Sequence, residues 1–139
     1  MTGSDLIYDP LRRKWVARTP EEEVRQSVIT WLRDVQGFPA GLMESEYGFV
    51  YNRRRYRADI LVFDRQLRPH LLVECKAPGV KLDAAVIDQV VRYTRVLKVN
   101  YVMVTNGTAT HLLRRLGGED AFEELGSLPE SLRPEASGQ

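Results

Sequence analysis

A chain of 139 residues, 43% hydrophobic and 28% charged, has the size and composition of one ordinary globular domain with its own apolar core. A formal net charge of +1 excludes a global electrostatic pull toward nucleic acid, so any such binding needs a local basic patch. The single cysteine, Cys75, excludes an internal disulfide framework and a multi-thiolate zinc site, which fits a reducing cytoplasm, and no apolar run reaches the roughly 18 residues that cross a bilayer.

Residues 1–18 carry Tyr8, Pro10, Trp15 and a basic cluster, Arg12, Arg13 and Lys14. They read as an extended arm or short hairpin packed by its aromatics, and Asp5 and Asp9 argue against a secretory signal. Thr19-Pro20-Glu21 is a helix start, with Thr19 as N-cap, proline at the first helical position and acids in the first turn. Val24, Val28, Trp31, Leu32 and Val35 then recur at helical spacing, which predicts a helix to about Gln36, ahead of Gly37 and Pro39.

Three strands are predicted next: Glu44 to Tyr51, then Tyr56 to Phe63 after a turn at 52–54, then Leu71 to Lys76 after a turn at 66–69. Apolar residues occupy both faces of the last two, as in central strands covered on both sides. A second helix is predicted over Asp83 to Leu97, with Val86, Val90, Tyr93 and Leu97 as its stripe. Tyr101 to Thr105 reads as a short buried strand closed by Asn106-Gly107. Leu112, Leu113 and Leu116 then mark a short helix or strand, and the polar stretch from Ser127 reads as a flexible tail. The expectation is a single α/β domain over residues 1–126, with an arm at 1–18 and a tail at 127–139. Its order of helix, three-strand meander, helix and strand implies a mixed sheet flanked by helices.

The chemistry concentrates in the two central strands. Glu74 and Lys76 lie two apart and so project from one side of their strand. If the strands are neighbours, Asp59 faces Glu74, and two carboxylates so close repel unless a cation or proton lies between them. Hard oxygen donors of this kind suit Mg²⁺, with Mn²⁺ as a substitute. A cation there would activate water against a phosphodiester, and Lys76 would orient that water or steady the developing charge. The plainer reading makes Glu74 and Lys76 a strand-surface ion pair. It fits poorly beside Ile60, Leu61, Val62, Leu72 and Val73, which argue for deep burial.

Asp59 followed fifteen positions later by Glu74-Cys75-Lys76 resembles the PD-(D/E)XK nuclease superfamily, with Ala58 where that name has proline. The run Tyr8 to Ala17, then Thr19-Pro20-Glu21-Glu22 and Val24-Arg25-Gln26, then Leu72 to Pro78, is similar to the N-terminal nuclease domain of type I restriction enzyme R subunits, over about residues 6–108. That resemblance implies a restriction-endonuclease-like core in which Asp59 and Glu74 are metal ligands and Lys76 is catalytic. It also implies a further acid on the first helix. On a helical wheel Glu21 shares the side of Val24, Val28 and Val35, so Glu21 is the candidate and Glu22 the alternative. Gln89 and Tyr93, four apart on the second helix, resemble a Gln-x-x-x-Tyr motif that arranges substrate or the lysine beside the active site. A buried tyrosine packed on its helix neighbour would give the same pattern.

Arg53, Arg54, Arg55 and Arg57 crowd the hairpin that enters the Asp59 strand. They read either as a solvated turn or as a phosphate clamp, with Arg55 and Arg57 the substrate-binding candidates and Lys81, Arg92 and Arg95 as extensions. Cys75 reads as core, and His70 and His111 receive no role. The absence of a Gly-x-x-x-x-Gly-Lys-Ser/Thr loop means that no motor is expected from these residues. The expected function is a Mg²⁺-dependent endodeoxyribonuclease-like hydrolase of restriction or DNA processing, cytoplasmic, acting on DNA as a homodimer or with restriction-complex subunits. The alternatives are a nuclease-fold DNA-binding or assembly module that does not cut, and a small α/β domain binding a nucleotide or metal for another purpose.

Overall fold

A computed structural model describes residues 5–125. Two layers of helix enclose one mixed sheet. The chain begins with an antiparallel hairpin, β1 (Leu6–Asp9) and β2 (Lys14–Ala17), followed by α1 (Pro20–Thr30). The sheet then comprises β3 (Met43–Tyr51), β4 (Arg54–Phe63), β5 (Pro69–Cys75), β6 (Tyr101–Thr105), β7 (Thr110–Arg115) and β8 (Phe122–Glu124), lying side by side in chain order. All neighbours are antiparallel except β5 and β6, which run parallel because α2 (Ala84–Tyr93) returns the chain between them. This is the mixed α/β architecture expected, and it is compatible with a restriction-endonuclease-like core. No helix among the described residues is long and apolar enough to cross a membrane.

Local chemistry explains the boundaries. Thr19 accepts the Glu22 amide at 3.0 Å and Pro20 occupies the first turn, so α1 starts where capping requires. At Trp31–Val35 the helix widens into a π turn, which ends at Gly37 with its left-handed φ of 77°. That widening rotates the stripe, so Val35, expected in the core, is 69% exposed. Asp83 caps α2 by accepting the Val86 amide at 3.0 Å. The second helix ends at Tyr93 rather than Leu97, because the Thr94 hydroxyl donates to the Val91 carbonyl and the chain turns; Leu97 still reaches the core. Asn52 and Arg53 are both left-handed and join β3 to β4 through a two-residue loop, which fits the strand twist better than the longer turn expected. The segment around Leu112 is a strand, while Leu116 is exposed. The expected tail at 127–139 lies outside the described residues.

One face of the sheet packs on α1 through Ile60, Val62, Leu71, Val73, Cys75 and Met103. The other packs on α2 through Leu61, Leu72, Val102, Val104 and Leu113. Each fully buried Leu or Ile is worth about 1.5–3 kcal/mol, so the sheet centre is the rigid base of the molecule. In the arm, Tyr8 and Trp15 meet edge to face at 5.4 Å but stay exposed, so the aromatics pack on each other and not into the core.

Candidate active site

The register that pairs Ile60 with Val73 places Asp59 opposite Glu74 on the next rung. Both side chains are buried. Here the side-chain alternation of β3 and β4 resets. Met43, Ile60 and Val62 belong to the α1 side, whereas Phe49 and Ala58, of the same parity, belong to the α2 side. The change falls at Glu46, whose φ of 55° is left-handed and whose rung with Asp59 is missing from the ladder. A non-glycine residue there stores about 1–3 kcal/mol, and such irregularities re-aim side chains beside functional sites.

Asp59 is turned toward α1. Its Oδ1 accepts from Arg25 Nη2 at 2.9 Å and its Oδ2 from the Cys75 amide at 2.7 Å. Glu74 meets the Asp59 carboxyl with its own and also lines a pocket of about 250 Å³ with Lys76, Ala85, Val86, Gln89, Val90 and Tyr93. Lys76 lies just past the end of β5, held by its amide donating to the Thr105 carbonyl at 2.8 Å. The structure therefore gathers Glu74, Lys76, Gln89 and Tyr93 around one cavity, with Asp59 beside it.

Burial, reinforced by the charge of Asp59, pushes the Glu74 carboxyl well above the usual range, although Lys76 and the Asp59 amide pull the other way. Burial also raises Asp59, against the Cys75 amide, Arg25, the hydrogen bond with the Glu74 carboxyl and Lys76. Glu74 Oε1 is buried with no hydrogen-bond partner. An orphaned oxygen on a carboxylate pair is the donor chemistry of a hard divalent cation. Among the described residues no three His, Cys, Asp or Glu side chains converge on one point. The protein thus offers two carboxylates, the number that Mg²⁺ takes when water and phosphate oxygens complete its shell.

Glu21 is half-exposed, with Oε1 3.9 Å from Arg25 Nη2. Burial and then Asp59 raise its carboxyl, and Arg25 and Lys76 lower it, so it lies within the field of the site. Glu22, the alternative acid, is buried. It accepts from Arg12 at 2.8 Å and from Gln26 at 3.0 Å, because the β1–β2 hairpin packs on that side of α1. On α2, Gln89 Nε2 donates to the Tyr93 hydroxyl at 3.2 Å, and the Tyr93 ring sits 5.0 Å from Tyr56 and 5.2 Å from Phe49. The packing reading of Gln-x-x-x-Tyr is thus seen directly, and both residues also line the pocket that Glu74 and Lys76 enter.

Arg55 and Arg57 are exposed and line a groove on the outer face of the hairpin with Gly48 and Val50. Arg57 donates to Glu46 at 3.1 Å. Arg92 bonds Gln89 at 3.1 Å, while Arg95 pairs with Asp120 and Glu119 and so does not extend a basic track freely. Cys75 is fully buried and burial raises its thiol far above the normal range, as a core residue requires. Asn106 closes its own turn by accepting the Thr108 and Ala109 amides.

Sequence reasoning missed Arg25 and Glu46. Arg25 Nη1 donates to Glu46 at 3.0 Å while Nη2 holds Asp59, and Arg12, itself paired with the fully buried Asp9, lies 3.8 Å from Glu46. A signal existed: Glu22, Arg25, Gln26 and Ile29 form a second buried stripe at i, i+3, i+4 and i+7, hidden because three of its members are polar.

A family model described as type I restriction enzyme R protein N terminus (HSDR_N) matches residues 20–129. No curated protein matches the chain.

Proposed function

The chain belongs to the family of type I restriction enzyme R protein N-termini, and from that premise we propose that it is a metal-dependent nuclease that hydrolyses phosphodiester bonds of DNA. The membership ties it to restriction systems. The finer reading is carried by one observation: Asp59 and Glu74 stand on opposed positions of β4 and β5, with Glu74 Oε1 buried and unpartnered beside Lys76.

In this reading Asp59 and Glu74 hold Mg²⁺ or Mn²⁺, with Glu21 as an outer carboxylate. The ion supplies Lewis-acid polarisation of a phosphoryl oxygen and a bound water of lowered pKa. Lys76 contributes a fixed positive charge in a partly buried cleft, where it opposes the negative charge that develops at phosphorus. Gln89, tethered to Tyr93, presents its amide to substrate or to the lysine. Arg55 and Arg57 hold backbone phosphates along the hairpin, contacts that orient the strand without reading its sequence. The partners proposed are DNA and either a second copy or the other subunits of a restriction complex.

The test is incubation of purified protein with linear, nicked and single-stranded DNA in Mg²⁺, Mn²⁺ or EDTA. Cutting is expected only with metal, and Lys76→Ala is expected to abolish it while leaving circular dichroism and melting unchanged. DNA binding without cutting under every metal would establish a binding or assembly module instead. Binding of neither metal nor DNA would remove the nuclease reading altogether.

A further inference from the structure

We propose that Arg25 is a positioning residue that acts as the resident counter-cation of Asp59, competing with a divalent metal for the Asp59 carboxylate, and that Glu46 is the acceptor that draws it aside. The inference rests on the metal-dependent reading above.

Three observations carry it. Arg25 hydrogen-bonds two carboxylates with one guanidinium, Nη2 lying 2.9 Å from Asp59 Oδ1 and Nη1 3.0 Å from Glu46 Oε1, while Glu22 at 3.7 Å and Glu21 at 3.9 Å stand further off. Oδ2 already accepts the Cys75 amide, so Oδ1 is the oxygen that no backbone donor holds, and Arg25 engages it. Arg25 is also incompletely satisfied, because its Nε is buried without an acceptor. A guanidinium whose two hydrogen bonds go to different carboxylates, and whose Nε is unheld, gives up only the Asp59 contact when it shifts toward Glu46.

Glu46 is built to receive it. Its left-handed backbone directs the carboxylate to Arg25 on one side and to Arg57 on the other, at 3.1 Å. When Arg25 moves off Asp59, Glu46 keeps the charge paired inside the protein, so the arginine never becomes a lone buried cation. Conversely, while Arg25 sits on Asp59 it offsets the repulsion between Asp59 and Glu74. The carboxylate pair is therefore tolerated in the folded chain before any metal arrives. A single charge thus serves folding in one position and yields to metal in the other.

The full chain is titrated with Mn²⁺, and free Mn²⁺ is followed by electron paramagnetic resonance. Arg25→Gln is expected to lower the Mn²⁺ dissociation constant about tenfold, the scale of removing one unit charge from beside a ligand oxygen. Arg25→Lys keeps the charge and is expected to stay within about twofold of the parent, which a purely structural role would not produce. Glu46→Gln, at a partly exposed position that leaves the core intact, is expected to weaken Mn²⁺ binding about threefold or more, and to lose most of that effect when Arg25→Gln is also present. Should Arg25→Gln fail to fold, the Glu46→Gln and Arg25→Lys titrations decide alone. Mn²⁺ binding to the parent with no tightening in Arg25→Gln, or no weakening in Glu46→Gln, overturns the competition and leaves the metal site standing. No Mn²⁺ binding to the parent, with Asp59→Asn indistinguishable from it, overturns both.

Discussion

Asp59 reaches over its neighbouring strand and accepts the backbone amide of Cys75 at 2.7 Å, one residue before Lys76. The acid thereby does for β5 what a further rung of the ladder would do, and it fixes the end of the strand from which Lys76 departs. Asp59→Ala leaves that buried amide without an acceptor, at a cost of about 1–3 kcal/mol. Asp59→Asn keeps a carbonyl oxygen in the same place. Denaturant melts are expected to rank Asp59→Ala below Asp59→Asn by about 1–2 kcal/mol, with DNA cleavage lost in both. Equal stabilities would mean that the Cys75 contact contributes nothing to the fold.

Glu74 carries the opposite balance, since its carboxylate is buried beside Asp59 with one oxygen unpartnered. Its folded pKa lies well above the ordinary 4.5, chiefly through burial. Between the unfolded and folded values the native chain binds the extra proton. Stability from this group is therefore full below the unfolded value and is lost as pH rises through the folded one. Asp9 and Glu46 are lowered, the arginines beside them outweighing burial, so they act in the reverse sense, but equally in parent and variant. Glu74→Gln should then be more stable than the parent by about 1 kcal/mol at pH 8, metal-free, and no more stable near pH 4. Thermal melts from pH 4 to 9 measure the difference. A gap that widens on acidification would mean that Glu74 is stabilised as the anion.

Strands β3 to β6 and the first helix start were legible because each is a local signal: Thr19-Pro20 as cap, and the apolar runs at Ile60–Val62, Leu71–Val73 and Val102–Val104. By contrast, β7 was open between helix and strand, and β8 carried no such run. Asp59, Glu74 and Lys76 were legible as charges inside those runs. What escaped was non-local. The left-handed Glu46 and the arm that buries Glu22 depend on contacts between segments far apart in sequence, and the π turn that exposes Val35 breaks the regular 3.6-residue period on which the stripe was read. Arg25 was missed for the same reason: its acceptors lie 21 and 34 residues away, and no spacing rule connects them. The family match begins at residue 20, yet Arg12 of the preceding hairpin enters the same ion network through Glu22.

Tyr93 has two separable duties. Its ring closes an aromatic cluster with Phe49, Tyr51 and Tyr56 that holds the β3–β4 hairpin against α2, and its hydroxyl accepts from Gln89. Tyr93→Phe keeps the ring and should change stability by less than about 1 kcal/mol. Tyr93→Ala opens the cluster and should cost about 3 kcal/mol or more. If Gln89 needs the hydroxyl to stay aimed into the pocket, Tyr93→Phe lowers kcat about tenfold with KM little changed. Full turnover in Tyr93→Phe would reduce the residue to packing.

Arg55 and Arg57 project from the outer face of the same hairpin, away from the aromatic cluster, and the Arg57 side chain is 73% exposed despite its bond to Glu46. A pair so exposed adds little to stability, so Arg57→Ala should leave the melt within about 0.5 kcal/mol. Its effect belongs to binding. Each phosphate contact removed should flatten the dependence of log affinity on log salt by about one, equally for unrelated duplex sequences. Fluorescence anisotropy with two duplexes between 50 and about 200 mM salt measures that slope. Arg114→Ala, on β7 and paired with Glu123 on β8, is the control that should leave it unchanged. A slope insensitive to both Arg55→Ala and Arg57→Ala, or one equally sensitive to Arg114→Ala, would move the DNA path off this hairpin.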